Sequence, residues 1–357
     1  MAAPLLLWRK GGREGGTIPG AKMVGYAARR LIQTIPTIIV MSLVLFAIMQ
    51  AIPGGPMAAL AFNSHQSEAA KLAIIHRWGL DLPVYEQYFR WVGAMFTGDW
   101  QNSFFLNQPV NKVIFARLPA TVLLMTVAYI LQELLAIPAG ILAALKRYSA
   151  FDQFVTFFAY VGNSMPTFWL GLMLLMVFGV FLAILPISGV IDIRVAGAPF
   201  LTPQYNDWFG QHPLQGTLDV AKHIILPAIT IAIVGIAFDS RFVRASMLDA
   251  IHQDYVRTAR AKGLTERSVI LKHTLRNALL PLITNIALEL PILFSGAVVT
   301  ERIFSWPGMG QLFFQALEGY DYPLMMGILF LTGLLVILFN VVADLAYAVA
   351  DPRISYA

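Results

Sequence analysis

From residue 153 to residue 191 the chain runs for thirty-nine positions without an Asp, Glu, Lys or Arg. A bilayer core is crossed by about 20 mostly apolar residues in helical form. In lipid every backbone N–H and C=O must also be paired, which leaves helices or closed barrels as spanning structures. Comparable apolar runs recur along the chain. Residues 31–52 are uncharged and follow Arg29-Arg30. Residues 118–145 hold one charge, Glu133, and stop at Lys146-Arg147. A third span is expected at 154–185, closed by Pro186. A fourth, 224–238, continues helically past Asp239 towards Arg244; a fifth, 277–300, contains Glu289; and a sixth, 322–343, extends towards Ala350. With 58% hydrophobic and 13% charged residues, against about a quarter charged in soluble domains, the composition agrees. The expected fold is an all-α polytopic membrane protein with six transmembrane helices, a polar cytoplasmic helix between the fourth and fifth, and a large outer loop.

Six spans put both termini on one side. With the N-terminus inside, 17 of the 25 Lys and Arg residues are cytoplasmic and 8 are outside. The positive-inside rule therefore places both termini in the cytoplasm. The boundaries that follow are a tail of 1–30, a transmembrane domain of 31–350 with an outer loop at 53–117 and a cytoplasmic loop at 245–276, and a tail of 351–357. The first apolar stretch starts too far into the chain, and runs too long, for a cleavable signal. Residues before Met23 are Gly-rich without apolar periodicity and are expected to be disordered; Met23 itself reads like a natural start. The net charge of +5 sits in membrane-flanking loops and is read as a topology signal and a contact with lipid, not as a nucleic-acid surface.

The loops are asymmetric. The first outer loop has turn signals at Pro53-Gly-Gly-Pro56, a helical pattern at 67–79 and aromatics between Tyr85 and Trp100; a second, 188–222, is rich in Pro, Gly and aromatics. Such loops suit either docking of an external partner or a cap that seals the bundle. The absence of cysteine excludes disulfides, thiolate metal sites and cysteine nucleophiles. The six histidines, His65, His76, His212, His223, His252 and His273, form no His-x-x-x-His pair, so no metal site is expected. No GxxxxGK[S/T] phosphate loop occurs, so the chain cannot itself cradle ATP.

Two features carry chemistry. Glu133 and Glu289 lie near the centres of spans without a Lys or Arg in the same run. An intramembrane carboxylate is costly and faces a bundle interior or water-filled cavity; these two either line such a cavity or pack helices as locally bonded carboxyls. Asn163, Ser164, Thr284, Asn285 and Ser295 could line the same route or hold helices together. Pro138, Pro166 and Pro291 are expected to kink their helices. Asp239 could pair with Arg241 or Arg244. The second feature is the cytoplasmic loop. Ala259 and Gly263, four apart, would share a helix face that admits another backbone, ringed by Arg257, Arg260 and Lys262, and Gly263 can end the helix in a left-handed conformation. A second amphipathic stretch at 268–277 has Leu271 and Leu275 four apart. Spacing alone leaves an interfacial connector open.

Several segments match a known pattern in order. Asp254-Tyr-Val-Arg-Thr-Ala-Arg-Ala-Lys-Gly-Leu264, Arg276-Asn-Ala-Leu-Leu-Pro281 and Gly296-Ala-Val-Val-Thr-Glu-Arg-Ile-Phe-Ser-Trp-Pro-Gly-Met-Gly310 resemble the dipeptide/oligopeptide/nickel branch of ABC importer permeases. So do Arg29-Arg30-Leu31, Ala51-Ile-Pro-Gly54, Gly98-Asp99, Arg117-Leu-Pro-Ala-Thr121, Pro166-Thr-Phe-Trp-Leu-Gly171, Asp321-Tyr-Pro323 and Asp351-Pro-Arg353. The resemblance implies a bacterial inner-membrane permease, half of a pathway completed by a second, homologous permease. Two ATPase subunits, which carry the ATP and Mg, and an extracytoplasmic solute-binding protein would complete the importer; this chain binds no cofactor and is not an enzyme. It makes Asp254, Tyr255, Arg257, Thr258, Ala259, Ala261, Lys262, Gly263 and Leu264 the ATPase-coupling loop, and leaves Glu133, Asn163, Ser164, Asn285 and Glu289 as candidates for the translocation cavity. Peptides are the expected cargo, with nickel chelates, glutathione or other small solutes as alternatives. An ion-coupled secondary transporter would explain the midspan carboxylates but not the loop. Two departures from the general importer pattern, Arg257-Thr258 ahead of Ala259 and the late Leu280-Pro281, fit the peptide branch.

Overall fold

The computed structural model describes residues 19–51, 72, 75–76, 79–279, 282, 285, 289 and 297–350. Helix α1, Pro19–Ala51, begins ahead of Met23, so the expected disorder fails for its first turn; residues 1–18, the turn at 53–56 and nearly all of the helical pattern at 67–79 lie outside the described residues. Helix α2, Val84–Thr97, occupies the aromatic part of the first outer loop and stops at Gly98, whose φ of 81° supplies the left-handed cap that glycine adopts at no steric cost. Helix α3, Val110–Leu145, starts eight residues before the expected span. Arg117 and the end of the outer loop are therefore helical. It also runs through Pro138 without a break.

The third expected span is not one helix. Helix α4, Ala150–Ser164, is capped at its start by Ser149, whose hydroxyl accepts from Asp152 N. Helix α5, Thr167–Leu174, follows and passes into a π-helical stretch, Leu175–Phe181. The two halves meet at 104°. Pro166 is the cause: it has no N–H to continue the ladder, and its ring excludes the preceding residue from the helical region; Met165 accordingly sits at φ −80°, ψ 128°.

Helices α6, Ile193–Ala196, and α7, Pro203–Gln211, fold the second outer loop back on the bundle. From this loop Val190, Ile191, Ala196, Ala198 and Tyr205 join Ala120, Leu124 and Ala128 of α3 in one buried cluster. Helix α8, Pro213–Ile251, is longer at both ends than the expected fourth span and packs along α3. Glycine permits that approach: a Cβ at residue 140 would lie 2.6 Å from Ser240 O and 2.7 Å from Val243 Cβ. Small residues at such seams are how helices associate in lipid, where apolar burial gives no drive.

Beyond α8 come α9, Asp254–Ala261, α10, Glu266–Ser268, a π-helical turn, Val269–Thr274, and α11, Leu275–Ala278. Most of the expected fifth span, including Thr284, Pro291 and Ser295, lies outside the described residues. Helices α12, Val298–Ile303, α13, Met309–Glu318, and α14, Tyr322–Ala350, complete the described residues, α14 packing against α1. Among the described residues four helices are long and apolar enough to cross a membrane, or five if the bent pair counts as one span.

Candidate functional site

The carboxylates placed in separate spans by the sequence come together. Oxygens of Glu133 on α3, Asp239 on α8 and Glu289 all lie within 4.8 Å of one another. The Gln132 amide sits among them, donating from Nε2 to Asp239 Oδ2 at 2.6 Å and, at 3.4 Å each, to Glu133 Oε1 and Glu289 Oε2. Asn285 Nδ2 donates to Glu289 Oε1 at 3.0 Å and Asp239 Oδ1 at 3.3 Å. Asp239 has 0% of its surface exposed. Room for the Gln132 amide exists because residue 235 of α8 is glycine: a Cβ there would lie 2.6 Å from Nε2 and closer still to Oε1. All-oxygen donors of this kind suit a hard cation better than nickel. The cluster's structural effect is to tie α3, α8 and the segment carrying Asn285 and Glu289 at one level.

Asp239 thus pairs with neither arginine proposed for it. Arg244 makes a two-pronged bond to Asp152 at the start of α4, 2.6 Å from Nε and 2.8 Å from Nη2. Arg241 donates from Nε to Ala237 O at 3.0 Å and lies 5.2 Å over the Tyr160 ring. Asp152 also accepts from Tyr148 N at 2.8 Å. Its side chain therefore joins the α3–α4 turn to the end of α8 from which the polar loop departs. Asn163 and Ser164 are exposed at the α4–α5 bend, apart from the cluster.

In the polar loop Val256 and Ala259 of α9 are buried, 0% and 4% exposed, against Val269. Ala259 therefore faces inward, and its small size serves packing within the loop; it does not share an outward face with Gly263. Gly263 lies beyond the helix at φ 73°, its N–H bonded to Arg260 O at 2.9 Å, and nothing within 4 Å would meet a Cβ there. The outward residues are Asp254, Tyr255, Arg257, Thr258, Ala261, Lys262, Gly263 and Leu264. Arg260 bonds Glu266 through both arms, at 2.7 and 3.2 Å. This ion pair holds the Glu266 carboxyl below its ordinary range. The π turn changes the register of the second stretch: Val269 and Thr274, five apart, are both buried, whereas Leu271 is exposed and Leu275 half-buried. The two leucines do not share a face, because a π turn holds more residues than an α turn.

At the other end of the bundle, motifs far apart in sequence converge. Thr121 Oγ1 donates to Glu301 Oε1 at 3.0 Å and accepts from Met309 N at 2.7 Å. Glu301 Oε2 accepts from Gln311 N at 2.9 Å, and Trp306 Nε1 donates to Ala120 O at 2.8 Å. Glu301 and Trp306 are fully buried, and burial raises the Glu301 pKa although these donors favour its ionised form. Asp321 accepts from Ser103 Oγ and, at 3.1 Å, from Phe105 N. The sequence pattern assigns Glu301, Thr121 and Asp321 no partners; Arg302 beside Glu301 makes that carboxylate look like half of a local ion pair.

A bundle of long apolar helices, one of them broken, with a polar helical loop at one end, defines the class: a polytopic α-helical transport protein. The model for "binding-protein-dependent transport system inner membrane component" matches residues 136–356, and that for its N-terminal region matches 23–125. The chain belongs to this family of multi-pass inner-membrane permease components. Among curated relatives, the oligopeptide transport system permease protein AppB of Bacillus subtilis is 41% identical over 335 residues, covering 94% of this chain and 100% of AppB. The di/tripeptide transport system permease protein DppB of Pseudomonas aeruginosa and the dipeptide transport system permease protein DppB of Escherichia coli are each 38% identical, covering 94% of this chain and 99% of theirs. The fold is similar to a chain of the inward-facing MetNI methionine ABC transporter, with a TM-score of 0.52 at 17% identity over 69% of this chain and 100% of that one.

Proposed function

We propose that this chain is the transmembrane permease subunit of an ATP-driven importer, forming half of the route for di- or oligopeptides delivered by an extracytoplasmic binding protein. The observation that carries the reading is α9, which follows α8 after two residues and packs on Val269 through Val256 and Ala259, leaving Tyr255, Arg257, Thr258, Ala261 and the adjoining Lys262 exposed. A partner ATPase seated on that face would move α8, and with it the acidic cluster and the Arg244–Asp152 pair. Coupling then means that each access state is favoured by a different ATPase arrangement. In this reading a second permease and two ATPase subunits complete the importer, and both termini and the α9 loop are cytoplasmic. The peptide class rests on the relatives' printed names.

The test is a mild-detergent pull-down of the tagged chain, with mass spectrometry of what accompanies it, followed by peptide uptake in reconstituted vesicles. A second permease, ATPase subunits and ATP-dependent uptake are expected. Uptake driven by an ion gradient without ATP would sink the reading, and ATP-dependent import of nickel chelates but no peptide would sink the peptide assignment.

A further inference from the structure

With the Arg244–Asp152 ion pair taken as the inner edge of the membrane, the break between α4 and α5 lies near its middle. Gly162 packs against Ile233 and Ala237 of α8, seven and eleven residues before Arg244, which at a rise of 1.5 Å per residue puts it about 10–17 Å inward of that charged residue. A hydrocarbon core about 30 Å thick has its midplane there.

A helix broken at this depth leaves polar backbone without partners. Pro166 has no N–H for Gly162 O, and among the described residues no backbone N–H donates to Asn163 O or Ser164 O across the bend. Asn163, Ser164, Pro166 and Thr167 are exposed. Lipid cannot cover such a surface; irregular backbone at membrane depth persists only where protein buries it or where it lines a water-filled cavity. Here it opens on a groove of about 580 Å³, lined by Phe157, Tyr160, Ser164, Pro166, Phe168 and Trp169 among others.

We propose that this bend is a substrate contact in the translocation route, taking the amino end and adjoining main chain of a peptide, an assignment that rests on the peptide-importer reading above. Free carbonyls at a helix C-terminus carry partial negative charge and favour a cation; an ammonium and peptide N–H groups are the donors they lack. The aromatic walls hold side chains of varied shape by ring contact, as a transporter of many peptides requires, and offer a cation the face of Trp169. Arg241, over the Tyr160 ring, is a positive charge at the groove's edge for the carboxylate end. In secondary transporters the C-terminal ends of discontinuous helices hold cations at the midplane through the same free carbonyls.

Because the chain contains no cysteine, single cysteines report cleanly. Asn163→Cys and Ser164→Cys, in the reconstituted complex, would be treated with a charged, water-soluble methanethiosulfonate and followed by the mass shift of this chain, with Ile39→Cys on the exposed apolar face of α1 as the lipid-facing control. Both bend cysteines are expected to react and Ile39→Cys not to. Trialanine at ten times its half-saturating concentration should slow the bend reaction about tenfold, since one site in eleven is then free, and N-acetyl-trialanine should protect less. Inert bend cysteines in a complex that still transports would show that the second permease covers the break, and would overturn the proposal. So would reaction unaffected by trialanine, or equal protection by the acetylated peptide. Trialanine uptake by the unsubstituted complex, measured in the same vesicles, separates failure of this site from failure of the peptide reading, which would remove both.

Discussion

Gly235→Ala tests the construction of the acidic cluster. The new methyl would occupy the space of the Gln132 amide, 2.6 Å from Nε2 and nearer to Oε1, so Gln132 must swing away and its 2.6 Å bond to Asp239 is lost. A hydrogen bond to a charged group contributes about 1.5–3 kcal/mol. Alanine in a helix interior regains about 1 kcal/mol relative to glycine. The net cost expected is therefore about 0.5–2 kcal/mol, smaller than the loss that causes it. A double-mutant cycle removes the offset: with Gln132→Ala already in place there is nothing to displace, and Gly235→Ala should become stabilising by about 1 kcal/mol. Equilibrium unfolding in mixed micelles of mild detergent and SDS, followed by tryptophan fluorescence, would read the four variants. If Gly235→Ala costs the same in both backgrounds, the steric account of the cluster is wrong.

Three other outcomes are expected. Thr121→Val removes a hydroxyl that both donates to Glu301 and accepts from Met309 N and should lower stability by about 1–3 kcal/mol, two bonds of about 1 kcal/mol with a buried acceptor left short; Thr121→Ser should restore most of it in the same unfolding assay. Burial raises the Glu301 pKa, so the folded state holds that proton more tightly than the unfolded chain; the stability it contributes is full below the ordinary glutamate value and is lost as pH rises through the folded value. The unfolding free energy of wild type minus that of Glu301→Gln, measured across this range, should fall with pH. Gly263→Ala places a side chain at φ 73°, at about 1–2 kcal/mol of local strain with no clash; uptake should drop while insertion is normal, and Gly263→Asn, which tolerates the left-handed conformation, should retain more activity.

The places where sequence reasoning stopped have physical causes. Span existence was legible because an uncharged apolar run of sufficient length has few alternatives, and α14 follows its expected limits closely. The 104° bend was not, because hydropathy records length and polarity but no direction; only Pro166 marked it, while Pro138 leaves α3 unbroken. Glu133 and Glu289 were conspicuous as charges in spans, yet their meeting point depends on Asp239, which the neighbouring Arg241 and Arg244 disguised as a surface ion-pair partner, and on the space at Gly235. In the loop, the four-residue spacing of Ala259 and Gly263 assumed a helix continuing to residue 263, whereas α9 ends at Ala261.

The seams that hold the end of the bundle opposite α9 join residues made at very different times. Thr121 waits for Glu301, Ala120 for Trp306, and Ser103 for Asp321, sequence separations of 180, 186 and 218 residues. At about 5–20 residues per second, a ribosome needs about 10–40 s to supply the later member of each pair. During that interval the start of α3 has entered the membrane with its hydroxyl and carbonyl partners missing. Chain quality control therefore meets this protein in a state whose defining joints do not yet exist, and a truncation that spares every preceding span but removes residues 301–321 would leave those joints permanently open.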